Sequence, residues 1–85
     1  MFNKIVKIEN LNLANGRVLI EKTENRNVYK VVKVAKNANY QGLKENININ
    51  DLVICSEYIS EKMSLNGKTY LIIKPSQIYG YFYCV

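Results

Sequence analysis

The chain has 85 residues, with 12 Lys and Arg against 7 Asp and Glu, two cysteines and no histidine. A domain of this size buries only about 60–65% of the surface its unfolded chain exposes, and so thin a core is often helped by a disulfide, a metal or self-association. Zinc is excluded by the missing histidine and the wide separation of Cys55 from Cys84, a membrane helix by the lack of any apolar run near ~18 residues, and histidine acid–base chemistry at neutral pH by composition alone.

The first predicted element is a short strand over Lys4-Ile5-Val6-Lys7-Ile8, leading into an Asn-rich connection from Glu9 to Asn15 that Gly16 closes. Arg17 to Glu21 is the next strand, with a β-branched and Leu centre. Thr23-Glu24-Asn25-Arg26-Asn27 is a polar loop by composition, and Val28 to Ala35 is a third strand with Lys30 and Lys33 turned outward. Lys36 to Asn50 carries the weakest structural signal, with Leu43, Ile47 and Ile49 alternating into the next strand, Leu52-Val53-Ile54-Cys55. Asp51 before it has no second carboxylate or nucleophile at a useful spacing, and is expected to cap a turn.

Ile59 and Met63 would fit one helical turn, yet Asn66-Gly67 before Tyr70-Leu71-Ile72-Ile73 is a strong hairpin signal, because a type I′ turn needs positive φ at both central residues. The pattern therefore predicts strands at Lys62 to Leu65 and Thr69 to Ile73, ended by Pro75, and a last strand from Gln77 to Cys84 with Tyr79, Tyr81 and Tyr83 on one side. No linker or repeat divides the chain, so residues 1–85 are expected to form a single domain, all-β, a small irregular barrel of short antiparallel strands. Val18, Ile20, Val32, Val34, Val53, Cys55, Leu71 and Ile73 are its expected core.

Nothing in the chain signals catalysis. Gly16, Gly42, Gly67 and Gly80 are isolated and make no phosphate loop, so an enzyme is not expected and no cofactor is implied. The net charge of +5 and seven tyrosines raise nucleic-acid binding. The lysines are scattered as on solvated faces, however, and the C-terminal tyrosines have no basic residue between them. The Met1-Phe2-Asn3-Lys4 start lacks the features of a signal peptide, which points to the cytoplasm and to two buried thiols in place of a bridge.

The order Asp51, Tyr58, Asn66-Gly67, Tyr70-Leu71-Ile72 and Ser76-x-Ile78 resembles the GroES-like co-chaperonins, the ring-forming lids of chaperonin chambers. Arg17-Val18-Leu19-Ile20 is similar to the family's Arg-Val-apolar-apolar strand, Lys30 to Ala35 to the strand after its mobile loop, and Ile47-Asn48-Ile49-Asn50-Asp51 to its Val-Lys-Val-Gly-Asp approach. The resemblance implies a GroES-like barrel that assists protein folding. It also implies a homo-oligomeric ring, sevenfold in the family, in which the N-terminal strand of one subunit pairs with the C-terminal strand of the next.

Two departures bear on function. Where the family has a long mobile loop with an aliphatic tripod that docks on the chaperonin, this chain has Thr23, Glu24, Asn25, Arg26 and Asn27, which offer no aliphatic anchor to a groove. The roof segment, Lys36 to Glu45, is also short. Partner contacts are then expected at Tyr40, Leu43, Tyr58 and Ile59, although Tyr58 and Ile59 each also fit ordinary packing. The alternative to a folding assistant is a structural or assembly protein of a bacteriophage or mobile element that reuses the ring fold. A small nucleic-acid-binding barrel is the third reading.

Overall fold

The computed structural model describes residues 6–36, 38–40 and 46–82. Six strands form one antiparallel sheet: β1 (Val18–Lys22), β2 (Val28–Val34), β3 (Leu52–Cys55), β4 (Lys62–Leu65), β5 (Lys68–Ile73) and β6 (Ile78–Phe82), in the order β4-β5-β1-β2-β3-β6. Among the described residues there is no α-helix, only two 3₁₀ turns, Ile8–Asn10 and Pro75–Gln77. The all-β expectation holds.

The sheet curls round a single apolar cluster. Val18 and Ile20 of β1, Tyr29 and Val31 of β2, Val53 and Cys55 of β3 and Leu71 and Ile73 of β5 meet there, with Ile78 and Tyr81 of β6 packed against them. Strand alternation places these side chains on one face. Strand β6 thus reaches the same core as β5, although no ladder joins β4 to β6 among the described residues.

Of the expected core residues, six are buried, Val34 is half-buried and packs against them, and Val32 is displaced. Val31 is fully buried where Val32 was expected, and Val32 and Val34 are half-buried. The cause is a bulge: the β1–β2 register runs Leu19↔Lys33 and then Ile20↔Val31, leaving Val32 as the unpaired extra residue. A second bulge splits the tyrosines. Ile54 pairs with Gly80 but Cys55 with Ile78, so the alternation slips at Tyr79. Tyr81 packs on the core while Tyr79 is 75% exposed, in contrast to the expected common side. Tyr83 and Cys84 lie outside the described residues, as does Leu43.

The expected N-terminal strand is absent from its described part. Val6 and Lys7 are unpaired coil and Ile8–Asn10 is a 3₁₀ turn. This segment is tied to the sheet by side chains instead: Asn66 Nδ2 donates to the Val6 carbonyl at 3.1 Å and Lys33 Nζ to that of Glu9 at 3.5 Å. Alternating residues make a strand only where a partner edge supplies the other half of the ladder, and among the described residues none lies alongside Val6 and Lys7.

Turn chemistry is where sequence and structure agree most closely. Asn66 has φ 53° and Gly67 φ 81°, as a type I′ turn requires, and they join β4 to β5. Asn15 and Gly16 repeat the arrangement at 55° and 67°, with the Arg17 amide donating to the Ala14 carbonyl. A Cβ at Gly67 would meet no atom within 4 Å, so only its backbone conformation resists substitution. Gly67→Val should therefore cost about 1–3 kcal/mol, lowering the melting temperature by several degrees, whereas Gly67→Asn should cost much less. A Gly67→Val protein melting with the natural one would contradict the turn assignment.

Candidate functional site

Two connections define the end of the sheet where β1 passes into β2 and β3 passes into β4. The first is Thr23 to Asn27. Thr23 Oγ1 donates to the Val28 carbonyl at 2.7 Å and accepts from the Asn25 amide at 3.1 Å. The Val28 amide returns to the Asn25 carbonyl, and Asn27 takes a left-handed φ of 65°. A hydroxyl that turns its own backbone and an Asn that tolerates positive φ explain why so short a polar stretch closes a hairpin.

This turn is fastened to the β3–β4 connection. Asn27 Nδ2 donates to the Cys55 carbonyl at 2.9 Å, and the Cys55 amide donates to that of Asn27 at 3.0 Å. Arg26 forms a fork on Glu57, Nε to Oε2 at 2.9 Å and Nη2 to Oε1 at 2.7 Å. The fork's hydrogen bonds and charge raise the Arg26 pKa and hold the Glu57 carboxyl below its ordinary value. The pair is solvent-exposed, so it orders the two connections more than it stabilises the fold.

A depressed folded-state pKa stabilises above the unfolded carboxylate value and loses that stabilisation as pH falls through the folded one. Acidification below neutral should therefore remove a small increment of stability that Arg26→Gln already lacks. Melts of the two proteins taken from pH 7 downward should converge once the pH falls below the ordinary carboxylate value of about 4. Parallel curves would show that the fork contributes nothing.

The four expected contact residues separate. Tyr40 is 3% exposed and Ile59 6%, both within the core, which removes them from the surface of the folded chain. Tyr40 stacks on Tyr81 with centroids 3.7 Å apart and donates its hydroxyl to Asp51 Oδ2 at 2.9 Å. Of the described residues of the expected roof segment, Ala38 and Tyr40 are buried, as is Ile47 just beyond it. Tyr58, next to Glu57, is 85% exposed and is the one of the four that presents its ring to solvent among the described residues.

Asp51 caps a turn, as expected, but from inside the protein. Its Oδ2 accepts from the Asn48 amide at 3.0 Å as well as from Tyr40, and its own amide donates to the Asn48 carbonyl. Asn50, in that turn, has φ 79°. The resemblance places a glycine here, and Asn is the side chain that most readily replaces glycine in this region. Neither the Tyr40 partner nor Glu57 was legible in local sequence, because each contact depends on how distant segments are brought together.

Among the described residues no cluster of His, Cys, Asp and Glu could hold a metal. Cys55 is a free, buried thiol whose pKa is pushed up to about 11 by burial, so it stays protonated and is a poor nucleophile at neutral pH. Among the described residues no helix is long and apolar enough to cross a membrane.

No curated protein matches the chain. Compared with protein families, it matches the Chaperonin 10 Kd subunit, Cpn10, over residues 6–82, a span that takes in all six strands. On that match and the strand order that accompanies it, the chain belongs to the Cpn10 family of non-enzymatic co-chaperonins.

Proposed function

We propose that this protein is a ring-forming co-chaperonin-like subunit, residues 1–85 acting as one domain, that does not dock on a chaperonin through its β1–β2 segment. The observation that carries this reading is the turn itself. Thr23 to Asn27 bonds to its own backbone and to the β3–β4 connection through Arg26 and Asn27, and it holds no aliphatic side chain. A docking loop needs both reach and apolar anchors, and a polar turn fastened at two points has neither. The same observation favours the second reading, a bacteriophage or mobile-element assembly protein that keeps the ring and dispenses with the chaperonin. In either case the expected place of action is the cytoplasm.

Self-assembly is supported by β6, the terminal strand of the sheet order among the described residues, where Tyr79 and Phe82 are 75% and 54% exposed. An edge of this kind is normally paired or covered. Val6 is likewise 55% exposed and lies in no strand among the described residues. Native mass spectrometry at micromolar concentration should show a closed oligomer, sevenfold if the family's number is kept, and deletion of residues 1–8 should release monomer. Monomer alone from the natural chain, or an oligomer indifferent to the deletion, would overturn the proposal.

A further inference from the structure

At the β4 end of the sheet a groove of about 500 Å³ is lined by Glu21, Lys22, Lys62, Lys68, Thr69 and Leu71. The strand register explains the gathering. Lys62 lies directly across from Leu71, which lies across from Ile20. Lys22 follows Ile20 by two residues and Thr69 precedes Leu71 by two, so all four lining positions share the face that carries the core. Buried Leu71 forms the floor, and two ammonium groups and a hydroxyl stand round it.

The single acidic residue in the lining is already neutralised. Glu21 Oε1 lies 2.7 Å from Lys68 Nζ, and that contact raises the Lys68 pKa. Among the described residues no carboxylate pairs with Lys22 or Lys62. Two like charges converging on one concavity repel each other, and an anion shared between them relieves that cost.

We propose that this groove binds phosphate groups borne on a flexible chain, held by Lys22 and Lys62 with Thr69 Oγ1 as a third donor. Multiple oxygens and multiple charges suit point-charge ammonium donors, which need no fixed fork geometry. Free polyphosphate and the backbone of single-stranded nucleic acid present this same chemistry.

The test is calorimetric titration of the full chain with tripolyphosphate at low salt. Binding should weaken as salt is raised, and Lys22→Gln with Lys62→Gln should lower affinity about tenfold or more, the scale of a lost charge-assisted hydrogen bond. Lys36→Gln with Lys74→Gln, at exposed positions outside the groove, should leave it unchanged, and matched melting temperatures would establish that all variants are folded. Competition by a short oligothymidylate would identify nucleic-acid backbone as the source, and its failure to compete would identify free polyphosphate. Absence of binding, or binding equally affected by both pairs of substitutions, would overturn the proposal and leave Lys62 as a charge that guards the exposed edge of β4.

Discussion

Val53→Asp should unfold the protein. Val53 is fully buried on β3, flanked by β2 on one side and β6 on the other, opposite Tyr29 and Tyr81. A carboxylate there would face apolar side chains with its charge unpaired, a change that costs about 3–5 kcal/mol when a buried charge lacks its partner. A domain of 85 residues has a total stability of about 4–13 kcal/mol, so the loss takes most or all of the lower part of that range. Ile49→Asp, at a position 50% exposed, should by contrast change stability by no more than about 0.5 kcal/mol. Circular dichroism melts of the two variants check both: Val53→Asp should have no cooperative transition or one shifted far down, and normal melting would contradict the burial of Val53 and with it the β3 register.

How legible the fold was depended on whether its cause was local. Strand β4 was readable to the residue at Lys62–Leu65 because the Asn66-Gly67 turn fixes where its hairpin closes. The bulges at Val32 and Tyr79 were not readable, since a bulge is a mismatch between two strands and neither carries a residue that announces it. Each slip inverted the alternation beyond it, which is why Val32 was placed inward and Tyr79 grouped with Tyr81. The described part of the expected N-terminal strand departs for a related reason: the pattern of Val6 to Ile8 is strand-like, but among the described residues no strand pairs with it.

The candidate site shows the same division. That Thr23 to Asn27 is a short polar turn followed from composition, and its hydrogen bonds supply the mechanism. Arg26 and Glu57 are 31 positions apart, a pairing that only the β2–β3 ladder brings about. Tyr40 looked like a surface aromatic in a weakly patterned stretch, yet its stack on Tyr81 and bond to Asp51 make it part of the core. Tyr58 keeps its exposure and is therefore the aromatic to mutate first in any search for a partner surface.

The largest functional effect is expected in chaperonin capture. Losing about three buried aliphatic side chains at roughly 1.5–3 kcal/mol each removes about 4.5–9 kcal/mol of docking energy per subunit. A ring multiplies that deficit, because avidity repeats each subunit's contribution round the assembly. The exposed Arg26–Glu57 fork cannot replace it, being solvated in the free protein and worth little in exchange. Restoring a long loop with aliphatic anchors between Lys22 and Val28, the ends of β1 and β2, should restore the missing contact without disturbing the core, since the residues replaced are largely exposed. The decisive measurement is a nucleotide-dependent pull-down with a group I chaperonin, comparing the natural chain with this loop-grafted form. Capture of the grafted form alone is the predicted result, and strong capture of the natural chain, lost when Thr23 to Asn27 is altered, would contradict it.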